Sequence, residues 1–109
     1  MKKNYLIFVV DFDDTLFRKG KNGHIGKANE SLIKDLIDFR NKGHKVILNT
    51  TRWGERLKKA VIACANKGLV FDAVNDNLAD VTAYLGHNPR KIWGDVYIDN
   101  KAVYIECPK

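Results

Sequence analysis

Short continuous apolar runs alternate along this chain with stretches in which apolar residues recur every third or fourth position. The first run, Tyr5-Leu6-Ile7-Phe8-Val9-Val10, is rich in β-formers and reads as a strand buried on both faces. After it, residues 17–27 read as a Gly- and Lys-rich loop and candidate flap, with Gly20, Gly23 and Gly26 as turn residues. Asn29 is a candidate N-cap with Glu30 in the first turn, and Leu32, Ile33, Leu36 and Ile37 follow at helical spacing until Gly43 stops the helix. Residues 45–49 predict a second strand. Residues 55–66 predict a second helix, with Leu57, Val61 and Cys64 on one face and Gly68 at its end. Residues 69–74 predict a third strand interrupted by Asp72, and Leu78, Val81 and Leu85 a short third helix. Residues 96–98 and 102–105 predict two final strands.

This βαβαβαββ order implies right-handed crossovers and a Rossmann-like α/β fold. The expected architecture is a three-layer sandwich with a mostly parallel sheet, its last strand antiparallel after so short a connection. At 109 residues and 45% apolar content the chain suits one domain, residues 1–109, with a single core. The first apolar run is too short for a signal-peptide core and no segment is long enough to span a bilayer, so the expectation is a cytoplasmic protein with no membrane partner. Without a secretion signal, Cys64 and Cys107 are expected as reduced thiols. The net charge of +6 attracts anions, whether phosphorylated metabolites or nucleic acid. Arg18, Lys19, Lys21, His24 and Lys27 follow the first strand, and Arg52 and Arg56 the second, so the cations gather in loops at one end of the sheet.

Candidate chemistry lies at that same end. The first strand runs into Asp11-Phe12-Asp13-Asp14-Thr15, and a buried strand ending in three carboxylates is costly unless they meet a cation or a solvated cleft. Carboxyl ends of parallel strands are where ligand sites form, and Asp11 and Asp13 are spaced to converge on one ion once the strand ends. Another strand ends in Asp99, whereas Asp95 precedes it and falls at its opposite end.

Asp11-x-Asp13-x-Thr15 after an apolar strand resembles the first signature of the haloacid dehalogenase-like hydrolases. Members of that family often carry Gly where this chain has Asp14. The resemblance extends in order to residue 100. It implies a phosphate-binding hydroxyl at Thr50, with Thr51 as the fallback, and Arg52 beside them as a bidentate donor to substrate phosphate. It implies Lys91 as the charge-stabilising lysine, with Lys67 or Arg90 as substitutes, and Asp99 as the acid completing the metal site. Many members have two consecutive acids there, where this chain has Asp99-Asn100.

In the family's strand order Asp11, Asp13 and Asp99 meet at one metal, and Mg²⁺ suits such hard oxygen ligands. The implied activity is that of a Mg²⁺-dependent phosphatase. Asp11 is its nucleophile, Asp13 its acid and base and a backbone-carbonyl ligand, and Thr50 and Lys91 hold the phosphoryl oxygens. Only thirteen residues separate Thr15 from Asn29, so none of the family's inserted cap domains fits. An open site suits a bulky phosphorylated small molecule or a nucleic-acid end, or closure by a second copy in a homo-oligomer. The basic loops favour a nucleotide or nucleic acid over a sugar phosphate. Two alternatives are a receiver-like domain and a non-catalytic module that binds phosphate or metal.

Overall fold

The computed structural model describes residues 1–108. In chain order, strand β1 (Ile7–Val10) leads to a hairpin of β2 (Phe17–Lys19) and β3 (Ile25–Ala28), then helix α1 (Glu30–Asn41) and strand β4 (Lys45–Leu48). Helix α2 (Gly54–Asn66), strand β5 (Ala73–Val74), helix α3 (Ala79–Leu85) and strand β6 (Val96–Ile98) complete the order. The local signals act as expected around α1: Asn29 Oδ1 accepts from the Leu32 amide at 3.3 Å. Gly43, at φ +96°, takes the left-handed turn after the helix that side chains resist.

The four strands β5-β4-β1-β6 lie side by side and all pair in parallel. Because side chains alternate between faces, β1 divides its apolar residues between two cores. Phe8 and Val10, with Val46 and Leu48, pack under Ile33 and Leu36 of α1 and Ala60 and Cys64 of α2. Ile7, Val9 and Ile47 pack on the other face against Val81 of α3, with Ile92 and Trp93 alongside. This is the three-layer Rossmann-like sandwich, with no cap domain among the described residues. Among those residues, too, no helix is long and apolar enough to cross a membrane.

Three predicted elements differ. Residues 17–27 form the β2–β3 hairpin, where Phe17 pairs with Ala28 and Lys19 with Ile25. Asn22 and Gly23, both at positive φ, close its turn. The third strand shrinks to Ala73–Val74 because Asp72 spends its carboxylate on Arg40 (3.0 and 3.2 Å) and on the Val46 amide (2.8 Å). The final strand over residues 102–105 does not form. A turn in which the Ala102 amide donates to the Asp99 carbonyl at 3.2 Å follows β6, and Val103, Tyr104 and Ile105 beyond it are exposed. An apolar run with no strand beside it has the strand's composition without its hydrogen bonds.

Candidate active site

β1 and β6 are parallel neighbours in register from Phe8–Val96 to Val10–Ile98, so Asp11 and Asp99 leave the sheet at adjacent strand ends. The Asp11 amide donates to the Ile98 carbonyl at 2.9 Å and holds the two ends together. The chain then turns sharply, and the Phe12 carbonyl accepts from the amides of Thr15 (3.2 Å), Leu16 (3.0 Å) and Phe17 (3.2 Å). Asp14 sits in this turn at φ +58°, a left-handed conformation that Gly adopts without strain and a short Asp tolerates. Asp14 Oδ1 also accepts from the Lys19 amide at 2.9 Å, tying the turn to β2.

Thr15 is buried and bridges the strand ends. Its hydroxyl oxygen accepts from the Asn100 amide at 3.1 Å and lies 3.4 Å from both Asp11 Oδ2 and Asn100 Oδ1. Asn100, the residue in place of a second acid, thus serves as a structural partner of Thr15.

Burial raises the Asp11 carboxyl above the ordinary carboxylate range, and the Phe12 amide opposes that by hydrogen bonding to the ionised form. The charges of Asp99 and Asp13 raise it further. Asp13 is held by an ion pair: Arg52 Nε and Nη2 donate to its two oxygens at 2.9 and 2.8 Å. The same buried guanidinium donates from Nη1 to the Gly23 carbonyl at 3.0 Å and lies 4.9 Å from the Phe12 ring centre. Arg52 is therefore not the free anion-binding donor its sequence position implies; its three nitrogens join Asp13 to the hairpin turn.

Thr50 follows β4, beside Asp11, because the Asn49 amide donates to the Val10 carbonyl at 2.8 Å. The Thr50 amide donates to Asn75 Oδ1 at 2.7 Å, and its hydroxyl oxygen accepts from the Arg52 amide at 3.1 Å. Thr51 is exposed and lines a cleft shared with Asp13 and Arg52. Lys91 is not brought to the carboxylates by any hydrogen bond or ion pair; its ammonium lies 6.0 Å from the Tyr97 ring centre. Asp95 is at the opposite end of the sheet, as its position before β6 predicts, and binds Lys3 and the Ile7 amide.

Among the described residues no three His, Cys, Asp or Glu side chains group as a ready metal cage. The Asp13 carboxylate, expected to act as acid and base, is turned to Arg52. The donor chemistry that remains still fits a hard cation that takes one or two carboxylates and otherwise water: two carboxylates, Asp11 and Asp99, repel each other at adjacent strand ends.

The sequence pattern does not single out the Thr15–Asn100 bridge, the Asn75 contact to Thr50 or Trp53. The bridge has no local signal, because its residues meet only through the pairing of β1 with β6. Trp53 does carry one, a large aromatic between Arg52 and the start of a helix.

No protein-family model matches the chain, and no curated protein matches it. Among solved structures the fold resembles the conserved protein coded by a locus from Bacteroides thetaiotaomicron, with a TM-score of 0.78 and 30% sequence identity. That similarity covers 92% of this chain and 79% of the other, and on it the chain belongs to the same family as this conserved Bacteroides protein.

Proposed function

We propose that this chain is a Mg²⁺-dependent phosphatase of the haloacid dehalogenase-like type, hydrolysing a phosphomonoester through an aspartyl-phosphate on Asp11. One observation carries the reading: Asp11, its carboxyl raised by burial and by the charges of Asp99 and Asp13, at the adjoining ends of β1 and β6. Asp11, Asp99 and the Asp13 backbone carbonyl are the groups that would hold Mg²⁺, which supplies charge neutralisation for the approach of carboxylate to phosphate.

Asp11 attacks phosphorus and the bond to the leaving oxygen breaks; Asp13, having taken a proton from solvent when its pair with Arg52 opens, gives that proton to the leaving oxygen. Asp13 then takes a proton from water; the water oxygen bonds to phosphorus, and Asp11 is released with inorganic phosphate. Both Asp13 oxygens are held by Arg52, so one of those bonds must open for the transfer. An arriving phosphate competes for the same guanidinium and frees that oxygen, which keeps Arg52 in substrate recognition. Thr50 accepts from the Arg52 amide and retains its O–H for a phosphoryl oxygen, with Thr51 beside it. Lys91, which has no ion pair among the described residues, is the cation that swings to the phosphate. The work of the site is charge placement. In this reading the substrate is a phosphorylated small molecule or nucleic-acid end, and the protein acts in the cytoplasm with Cys64 and Cys107 reduced.

The closed Asp13–Arg52 pair favours one second reading, a receiver-like or non-catalytic module that holds phosphate without turnover. Exposure to acetyl phosphate and Mg²⁺, followed by intact-mass measurement, separates the two. The phosphatase leaves no lasting adduct and accumulates inorganic phosphate. A phosphorylated Asp11 that persists for minutes would mark the receiver-like module.

A further inference from the structure

Trp53 opens α2 and is 81% exposed. It stands at the rim of a cleft of about 410 Å³ that begins at the Asp13 carboxylate and Arg52 and is walled by Lys19, the hairpin turn and Arg56. The wall is pinned. Arg52 Nη1 donates to the Gly23 carbonyl and Arg56 Nη2 to the Asn22 carbonyl at 3.3 Å. Gly23 is packed so closely on Arg56 that an added Cβ would lie 2.6 Å from the guanidinium carbon. Gly54, at φ +58° with open space around it, makes the left-handed step after Trp53. No side chain caps α2, so its first amides remain available to an anion.

We propose that Trp53 is the stacking platform for the base of a nucleotide whose terminal phosphate reaches Asp11, with Lys19 and Arg56 facing the rest of its backbone. The placement of that phosphate rests on the phosphatase reading. An indole left in water beside paired cations, on a pre-formed wall, combines the two elements that bind single-stranded nucleic acid units, a positive groove and an aromatic face. A sugar phosphate carries no base for the exposed Trp53 indole to stack on.

The test is calorimetric titration of the Asp11→Asn chain, which cannot form the aspartyl-phosphate, with 5′-AMP, a short 5′-phosphorylated oligothymidylate and, as the base-free reference, ribose 5-phosphate. The base-bearing ligands should bind about tenfold or more tightly than ribose 5-phosphate, as one base stacked on an aromatic ring implies. Adding Trp53→Ala should collapse that gap and Trp53→Phe should keep most of it. A tighter oligonucleotide than AMP assigns the site to a nucleic-acid end, and equal affinities assign it to a mononucleotide. Equal binding of all three ligands, or a gap that survives Trp53→Ala, would overturn the proposal. Phosphate release by the unsubstituted chain is read separately: a gap without release removes only the phosphatase reading, and release without a gap removes only this one.

Discussion

Asp13→Ala should destabilise the protein more than Arg52→Met, although each breaks the same ion pair. The Arg52 side chain is 5% exposed and the Asp13 side chain 23%, so loss of either partner strands a different charge. Without Asp13, the guanidinium retains only the Gly23 carbonyl and the Phe12 face, and a buried charge losing its partner costs about 3–5 kcal/mol. Without Arg52, Asp13 rehydrates through its exposed quarter while the methionine covers Phe12, which brings the cost to about 1–3 kcal/mol. Urea unfolding at pH 7 measures both, and an unchanged m-value would confirm that stability alone moved. In the double variant no charge is stranded, so its loss should fall well below the sum of the two single losses, a favourable coupling by double-mutant cycle. An Arg52→Met loss equal to or larger than that of Asp13→Ala, or additive losses, would refute the burial argument.

Asp11 has a raised folded-state pKa, so its contribution to stability is complete below the ordinary carboxylate pKa and is lost as pH rises through the folded value. Asp11→Asn should therefore melt at a higher temperature than the unsubstituted chain at pH 7 without Mg²⁺, and Mg²⁺ should raise the melting temperature only of the latter, by thermal scans. For Asp72 and Asp95 the sign is opposite: against a desolvation that acts to raise them, Arg40 with the Val46 amide, and Lys3 with the Ile7 amide, hold both carboxyls low. Their stabilisation is present above the ordinary carboxylate pKa of about 4 and is lost as pH falls through the depressed values; urea midpoints should drop on acidification, less steeply in Asp72→Asn. Thr15→Val keeps the shape but leaves the Asn100 amide without its acceptor and should cost about 1–3 kcal/mol, whereas Thr15→Ser should retain most of the stability in the same urea assay.

Much of the fold was legible because the pattern and the packing agree. Ile7 to Val10 are covered on both faces, so a continuous apolar run meant a central strand, and the caps of α1 announced its ends. Residues 102–105 carry the same apolar signature without a neighbouring strand, and composition does not encode a missing partner. Asp72 lay within an apparent strand because its ties to Arg40 and Val46 come from other elements. At the candidate site, the Asp-x-Asp-x-Thr pattern singled out the carboxylates that follow β1, but not the positive φ of Asp14. That Asp99 stands beside Asp11 follows from the strand order, and Arg52 facing Asp13 follows from how the hairpin meets α2. Such distant pairings have no local signal, so charge and position marked Arg52 as an anion donor without revealing its ion pair with Asp13.

The phosphatase reading is tested most directly by p-nitrophenol release from p-nitrophenyl phosphate, with and without Mg²⁺, by the unsubstituted chain and by Asp11→Asn. The account predicts release that requires Mg²⁺ and disappears in the variant. Release that persists in Asp11→Asn, or none from a folded chain that binds Mg²⁺, would contradict it.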